Sequence, residues 1–138
     1  MRIVVIDGQG GGIGRQLVAR IRERLPESDI FAVGANSVAT SAMLKAGASS
    51  GATGENAVIV ACRRAAVIVG PVGIVIADAL GGEVTPAMAV AVARSPARRV
   101  LIPFNFCDNV IVGVGDYNVA KLVQAAVDEV ASAVADGA

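Results

Sequence analysis

The chain has no histidine and no tryptophan, and only one tyrosine among its 138 residues. The absence of histidine excludes Ser-His and Cys-His catalytic pairs and any histidine metal site, and we predict no bound metal. The two cysteines, Cys62 and Cys107, stand alone without a Cys-x-x-Cys spacing, which is typical of a reducing compartment. Because Met1-Arg2 leads straight into an apolar run, we expect no signal peptide and predict a cytoplasmic protein.

An excess of one charge is also lacking, since 12 basic residues balance 12 acidic ones. Nucleic-acid binders usually concentrate basic residues on one face, and the largest basic clusters in this sequence are the pairs Arg63-Arg64 and Arg98-Arg99. The longest uncharged apolar run, Ala65–Ala77, is broken by glycine and proline and is shorter than the about 20 residues that span a membrane. We therefore expect neither a nucleic-acid partner nor a membrane.

A length of 138 residues fits a single domain with its own core, which we place over residues 1–138. Hydrophobic residues make up 54% of the chain, and the mean hydropathy is +0.64, so the folded chain has apolar surface to cover. We expect it to form a homo-oligomer for that reason.

Strand-like and helix-like periodicities alternate along the chain, which predicts an α/β fold of three layers with a mostly parallel sheet, as in Rossmann-like domains. The segment Ser49–Gly54 is predicted to be a flexible loop, and the run Ile74–Leu80 suits either a helix or a strand. The first strands are predicted at Arg2–Asp7, Asp29–Gly34 and Ala66–Gly70, and the first helices at Ile13–Leu25, Val38–Ala46, Glu55–Arg64 and Pro86–Arg94.

The last two strands are predicted to be antiparallel. They span Arg99–Phe104 and Val110–Val114, and only the five residues Asn105–Asn109 link them. A parallel crossover needs about a dozen residues or more, so the two strands must run in opposite directions. Asp116 then caps a final helix that ends near Ala135. The predicted architecture therefore has about five strands, mostly parallel, with an antiparallel last pair.

The most informative stretch joins the first strand to the first helix. Five of the seven residues Gly8–Gly14 are glycine, and the other two are Gln9 and Ile13. In a strand–turn–helix unit, such a loop places a diphosphate at the helix N-terminus, where free N–H groups and the positive end of the helix dipole attract an anion. Glycine costs backbone entropy at each position, so five of them exceed what a tight turn requires. The alternative is a turn without a ligand.

The glycines at positions 8, 12 and 14 form the pattern Gly-x-x-x-Gly-Ile-Gly, which resembles the cofactor loop of the short-chain dehydrogenases/reductases. This resemblance covers the first strand, loop and helix. It implies that the first glycine makes the turn, the second admits the pyrophosphate and the last permits close helix–strand packing. The implied cofactor is NADP or NAD, with NADP favoured because the second strand ends in the neutral Ala35-Asn36-Ser37 rather than in an acid, and because Arg15 is available to a 2′-phosphate.

The expected ligand site extends beyond this loop, because ligands of open α/β sheets lie beyond the carboxyl ends of the strands. Asn36 and Ser37 are placed at the adenosine ribose, and Gly70, Gly73 and Asn105 along the same edge of the sheet. The alternative explanation for these residues is that loops are in general rich in glycine and asparagine. The predicted cofactor-binding set is Gly8, Gln9, Gly10, Gly11, Gly12, Ile13, Gly14, Asn36, Ser37, Gly70, Gly73 and Asn105.

Three segments make the whole chain similar to a small uncharacterised bacterial family of about the same length, a domain of unknown function. They are Asp-Gly-Gln-Gly-Gly-Gly-Ile-Gly from Asp7, Ile-Val-Gly-Pro-x-Gly around Gly70, and Ile-Pro-Phe-Asn from Ile102. This resemblance implies no activity.

Three residues are candidates for catalysis. Tyr117 and Lys121 have the Tyr-x-x-x-Lys spacing of the same dehydrogenases, in which the lysine lowers the pKa of the tyrosine so that it takes a proton from an alcohol. The serine that this family places before the tyrosine is missing, and Asn105 occupies that neighbourhood. Cys107 is a candidate nucleophile at the predicted ligand edge, but the chain has no histidine to activate it.

The sequence leaves three functions open. The first is a small dinucleotide-binding protein that acts as a sensor, carrier or subunit. The second is a minimal reductase that uses Tyr117 and Lys121. The third is a ligand-free homo-oligomeric assembly protein whose glycine loop packs against a neighbouring subunit.

Overall fold

The computed structural model describes residues 1–104, 109–115 and 118–138. In this part the chain forms a parallel sheet of five strands with helices on both faces. The strands are β1 (Arg2–Asp7), β2 (Asp29–Gly34), β3 (Ser50–Thr53), β4 (Val67–Pro71) and β5 (Arg98–Ile102). The helices are α1 (Gly12–Arg24), α2 (Ser37–Ala46), α3 (Glu55–Arg64), α4 (Pro86–Arg94) and α5 (Val119–Ala135), and Val72–Val75 form one 3₁₀ turn.

The central strand is β1, and the strand order is β3-β2-β1-β4-β5. Residues Ile3–Ile6 of β1 are at most 2% exposed, as expected for a parallel strand that helices cover on both faces. The chain adds β2 and β3 on one side of β1 and then returns to add β4 and β5 on the other side. The strand order therefore reverses between β1 and β4, and ligands of open α/β sheets bind in the crevice at such a reversal.

Two hydrophobic cores lie on the two faces of the sheet. On one face, α1, α2 and α5 contribute Leu17, Met43 and Val127, each at most 1% exposed. On the other face, α3 and α4 contribute Val58 and Val92, which are fully buried. A fully buried large apolar side chain stabilises the fold by about 1.5–3 kcal/mol, so these two cores hold the helices on the sheet.

The predicted α/β architecture is present, but the prediction of an antiparallel last pair is wrong. β5 pairs with β4 in parallel along its whole length, and the crossover between them contains α4. The predicted strand Val110–Val114 does not form: residues 109–115 contain only a turn, and Val110 and Val112 are 87% and 93% exposed. Valine favours strands because its side chain packs against neighbouring strands, and these two are too exposed for such packing.

The remaining strand is β3, in the segment Ser49–Gly54 that was expected to be a flexible loop. Its sequence Ser-Gly-Ala-Thr has little strand propensity, yet it pairs in parallel with β2 from Phe31 to Gly34. Gly51 suits this position because a Cβ atom there would lie 2.8 Å from the carbonyl oxygen of Ala32. Pairing with β2 overrides local propensity at this edge of the sheet.

Side-chain caps begin three of the helices. Thr85 caps α4, since its Oγ1 accepts a hydrogen bond from the N–H of Met88 at 3.2 Å. Asn36 caps α2 in the same way. The last helix begins at Val119 with Asn118 as its cap, whereas the predicted cap, Asp116, lies outside the described residues.

Replacing Gly70 by alanine should destabilise the protein strongly. A Cβ atom at Gly70 would overlap the carbonyl oxygen of Ile6 and lie 3.1 Å from Ile74 Cδ1. Because Ile6 belongs to the central strand and its backbone has no room to shift, we expect the free energy of unfolding to fall by about 1–3 kcal/mol or more. Denaturant titration measures this loss. Gly10→Ala is the control, since a Cβ there meets no atom within 4 Å, and equal stability of the two variants would contradict the close β1–β4 approach.

Candidate functional site

A cavity of about 270 Å³ opens at the carboxyl ends of β1 and β4, where the strand order reverses. The glycine loop between β1 and α1 forms one wall, and apolar side chains from other segments form much of the rest. We call this space the glycine-loop cavity. Its lining residues are Asp7, Gly8, Gln9, Gly10, Gly12, Ile13, Gln16, Pro71, Leu80, Phe104 and Val119.

The carboxylate of Asp7 anchors the glycine loop. Asp7 is the last residue of β1 and is 5% exposed, and its two oxygens accept hydrogen bonds from Gly8 N at 2.8 Å and from Gly14 N at 2.7 Å. The second bond joins the end of the central strand to the first turn of α1. Within the loop, Gly11 N donates to the carbonyl oxygen of Gly8 at 2.9 Å, which closes a tight turn.

Burial raises the pKa of the Asp7 carboxyl above its ordinary value of 3.8. The nearby carboxylate of Glu83 also raises this pKa, while the N–H groups of Gly14 and Gly8 act in the opposite direction. The positive end of the α1 dipole and the two hydrogen bonds therefore offset only part of the cost of burying the charge. Among the described residues that line the cavity, Asp7 is the one with an ionisable side chain.

Glu83 holds the same loop from another side. Its Oε1 accepts the N–H of Gln9 at 2.5 Å, and its Oε2 accepts a hydrogen bond from Nδ2 of Asn36 at 2.6 Å. Asn36 Nδ2 also donates to the carbonyl oxygen of Gln9 at 2.9 Å. The loops that follow β1 and β2 and the loop before α4 are thus joined. No motif signals this contact, because Gln9 and Glu83 are 74 residues apart in the chain.

The loop that carries Glu83 has an unusual backbone. Asp78 and Leu80 have positive φ angles of 67° and 56°, which residues with a side chain rarely adopt. A hydrogen bond from Asp78 N to the carbonyl oxygen of Val84, 2.7 Å long, closes the loop. Leu80 is 4% exposed and reaches the cavity. Backbone strain of this kind clusters at ligand sites and switch regions.

Two of the five loop glycines are required by the fold. A Cβ atom at Gly14 would lie 2.6 Å from Met43 Sδ and 2.8 Å from the Cβ of Asp7. Gly11 has a φ of 75°, and a Cβ there would lie 2.9 Å from the Cα of Ala39. A Cβ atom at Gly8 would lie 2.9 Å from Glu83 Oε1, so a side chain there would displace the carboxylate that accepts the N–H of Gln9.

Gly10 and Gly12 are different. A Cβ atom at either position would meet no atom within 4 Å, and neither residue has a φ in the left-handed region. Both line the cavity, and their N–H groups have no acceptor in the part of the chain that the structure describes. Gly12 is also the first residue of α1, where alanine would stabilise the helix more than glycine does. The fold itself gives no reason for glycine at these two positions.

The residues expected at an adenosine ribose lie apart from the cavity. Asn36 is engaged with Glu83 and the loop backbone. Ser37 borders a separate groove on the surface of α1 and α2, together with Arg15 and Lys45. The structure therefore does not bring Asn36 and Ser37 to the lining of the glycine-loop cavity.

Gly70 and Gly73 flank the cavity without lining it, and Pro71 between them supplies the contact. Gly70 lies against the carbonyl oxygen of Ile6, and a Cβ at Gly73 would lie 3.3 Å from that of Ala79. Packing thus accounts for both glycines. The other lining residues that sequence patterns do not mark are Gln16, Leu80, Phe104 and Val119, which come from separate segments and meet only in the folded chain.

Three of the remaining predicted residues, Asn105, Cys107 and Tyr117, lie outside the described residues. Lys121 is exposed in the first turn of α5, and Val119, two residues before it, lines the cavity. The pairing of Lys121 with Tyr117 and the reactivity of Cys107 stay predictions.

The described part of the chain offers little further chemistry. Within residues 1–104, 109–115 and 118–138, no three histidine, cysteine, aspartate or glutamate residues lie close enough to hold a metal ion. Burial raises the pKa of the Cys62 thiol to about 11, so this thiol stays protonated at neutral pH. None of the described helices combines the length and the apolar character that crossing a membrane requires.

Ionisation of Asp7 should make stability fall as pH rises. Its pKa is higher in the folded state, so between 3.8 and the folded pKa the folded chain binds more protons than the unfolded chain. The contribution of Asp7 is therefore fully present below 3.8 and is lost as pH rises through the folded pKa. We expect Asp7→Asn to lack this part of the pH dependence. Denaturant unfolding between about pH 4 and about pH 7 measures it.

The Asp7→Asn variant should also be less stable overall by about 1–3 kcal/mol, because an amide offers one acceptor oxygen to two buried N–H groups. Asp136→Asn is the control, since Asp136 is exposed at the end of α5 and its replacement should leave the pH profile unchanged. Identical pH profiles for wild type and Asp7→Asn would contradict the role assigned to this carboxyl.

A solved structure that matches the chain is that of a dodecameric FMN-dependent Ubix-like decarboxylase from Escherichia coli O157:H7. The two chains are 16% identical, the match covers 94% of this chain and 91% of that chain, and the TM-score is 0.45. No curated protein matches the chain.

The prediction of NADP or NAD as the cofactor is wrong. The site departs from a nicotinamide dinucleotide site, because Asn36, the residue expected at the ribose, donates its amide to Glu83 and to the loop backbone. In addition, the carboxylates of Asp7 and Glu83 accept three of the loop N–H groups that a pyrophosphate would need.

A family model matches residues 2–135, which is nearly the whole length of the chain. This match confirms the resemblance based on the opening glycine loop and the two later segments. The chain belongs to the family described as a domain of unknown function, DUF3842.

Proposed function

We propose that the protein binds a phosphorylated small molecule of about mononucleotide size in the glycine-loop cavity. The phosphate would accept hydrogen bonds from the N–H groups of Gly10 and Gly12, and a ring would lie against the apolar wall. The observation that carries this proposal is that Gly10 and Gly12 line the cavity although the fold does not require glycine at either position. Glycine is the residue that lets a backbone approach a ligand closely.

The position of the cavity supports a ligand site. It lies between the carboxyl ends of β1 and β4, the two strands at which the strand order reverses. At such a reversal the crossovers from the two strands leave toward opposite faces of the sheet, which opens a crevice. Leu80, whose backbone is strained, lines the same cavity.

The free donors favour an anionic group. The N–H groups of Gly10 and Gly12 lie at the start of α1, a helix of 13 residues whose positive dipole end points toward the cavity. Asp7 and Glu83 take the neighbouring N–H groups and so leave these two for a ligand. A phosphate beside Asp7 would favour the protonated carboxyl, and burial already shifts the pKa of Asp7 in that direction.

The shape and chemistry of the cavity limit the rest of the ligand. A volume of about 270 Å³ is near the lower end of the about 300–1,000 Å³ typical of small-molecule sites, so it suits one nucleotide rather than two. Pro71, Leu80, Phe104 and Val119 provide apolar surface for a ring, and Phe104 is 37% exposed and therefore accessible for stacking. Backbone groups and apolar side chains position a ligand, which fits a sensor, carrier or subunit.

Replacing Gly12 by alanine should abolish ligand binding without weakening the fold. The new methyl group enters the cavity but contacts no protein atom within 4 Å. Because alanine favours a helix more than glycine does, the free energy of unfolding without ligand should stay the same or rise by up to about 1 kcal/mol. Thermal unfolding of the wild type, Gly10→Ala and Gly12→Ala against FMN, AMP, ATP, pyrophosphate and inorganic phosphate tests this.

A ligand at about a hundred times its dissociation constant should stabilise the wild type by about 2.7 kcal/mol, which raises the melting temperature by several degrees. Ser132→Ala, on the exposed face of the last turns of α5, is the control and should keep the full shift. If no phosphorylated ligand shifts the wild type, or if both glycine variants keep the shift, the phosphate site proposed at Gly10 and Gly12 is wrong.

A further inference from the structure

The outer surface of the layer formed by α3 and α4 lacks the polar side chains that cover the other helices. Between its charged ends, α3 reads Ala-Val-Ile-Val-Ala-Cys over residues 57–62, and α4 has no polar side chain before Arg94. Val60 and Val90 are 43% and 46% exposed on these two helices. By contrast, α1 exposes Arg20 and Glu23. A helix that is apolar on all sides is normally buried on all sides.

Charged residues lie only at the two ends of this surface. The N-terminal ends of the helices adjoin each other, since Thr85 Oγ1 donates to Glu55 Oε1 at 2.5 Å, and this end carries an acid. The C-terminal ends also adjoin, since Arg63 and Arg94 line one groove there. No described residue pairs with either arginine. The surface is therefore acidic at one end, apolar in the middle and basic at the other end.

We propose that a second copy of the chain covers this surface, which we call the α3–α4 face, in a two-fold symmetric dimer. The axis lies in the interface, perpendicular to the helices, so that each helix runs antiparallel to its own copy. Glu55 of one copy then meets Arg63 of the other, and Val90, the middle residue of α4, meets Val90 of the other copy near the axis. One surface patch thus complements itself, as a two-fold interface requires.

The charges exclude the other two-fold arrangement of the same faces. An axis parallel to the helices would bring the arginines of the two copies together, and like charges in an interface are unfavourable. The antiparallel arrangement instead places each basic end against an acidic end and joins the apolar middles. The charge distribution therefore favours a second copy in one defined orientation.

The size of the face sets the strength expected of this dimer. Helices of 10 and 9 residues are about 15 Å long, and packed helices lie about 8–10 Å apart. The face is thus about 15 by 20 Å, smaller than the about 800 Å² per partner of a standard interface. We expect a reversible dimer that dissociates on dilution.

Sedimentation velocity of the full chain at about 1 μM and about 100 μM measures this association. The wild type should shift from monomer toward dimer, and Val90→Glu should weaken association at least tenfold because it places two carboxylates at the axis. Val38→Glu is the matched control: Val38 is 64% exposed on α2, on the opposite face of the sheet, and the variant should still dimerise. Both positions are exposed in the monomer, so circular dichroism and melting temperature should show folded variants.

A charge exchange tests the orientation. Glu55→Arg and Arg63→Glu should each be monomeric alone, because each places like charges opposite each other. Mixed in equal amounts, they should form a heterodimer, since both contacts then join opposite charges. A wild type that stays monomeric at both concentrations, a Val38→Glu variant that loses association as Val90→Glu does, or a mixture that does not associate would each overturn the proposal.

Discussion

The hydrogen bonds from Gly8 N and Gly14 N to the Asp7 carboxylate are the contact on which the site depends. They hold the start of α1 against the end of β1 so closely that a Cβ at Gly14 would lie 2.8 Å from that of Asp7. The buried charge costs free energy, but charge-assisted bonds to two N–H groups at a helix N-terminus offset part of it. Asp7 occupies these donors, whereas the N–H groups of Gly10 and Gly12, two residues that line the cavity, have no acceptor among the described residues.

Sequence patterns predict well those helices and strands whose apolar residues form a continuous pattern within the element itself. The bounds of β2, α3 and α4 agree with the prediction, because their apolar runs end at turn residues or caps. The failures are at the edges of the sheet. β3 forms because it pairs with β2, whereas Val110–Val114 has strand propensity but pairs with no strand among the described residues. Strand propensity reports packing against neighbours, which a local sequence does not contain.

The site shows the same division between local and long-range information. The glycine loop is evident from the sequence, since five glycines between a strand and a helix form a local pattern. Which glycines serve the fold is not evident, because most of the atoms that exclude a side chain at Gly11 and Gly14 belong to α2. Glu83 is not evident for the same reason, because an acid in a loop has no distinguishing mark in the sequence until its carboxylate accepts the N–H of Gln9, 74 residues away.

Some positions hold a residue other than the one that would best stabilise the isolated chain. These positions carry the most information about function. The fold would tolerate alanine at Gly12 at no cost in packing, and a charged side chain at the half-exposed Val90 would suit contact with water. In a sequence that folds well, the local preference of each residue agrees with its place in the whole fold. Residues that depart from this agreement concentrate at functional surfaces. The two departures lie at separate places, one at the carboxyl edge of the sheet and one on the outer side of α4. A ligand in the cavity and a second copy on the helices would therefore account for different residues, and neither proposal depends on the other.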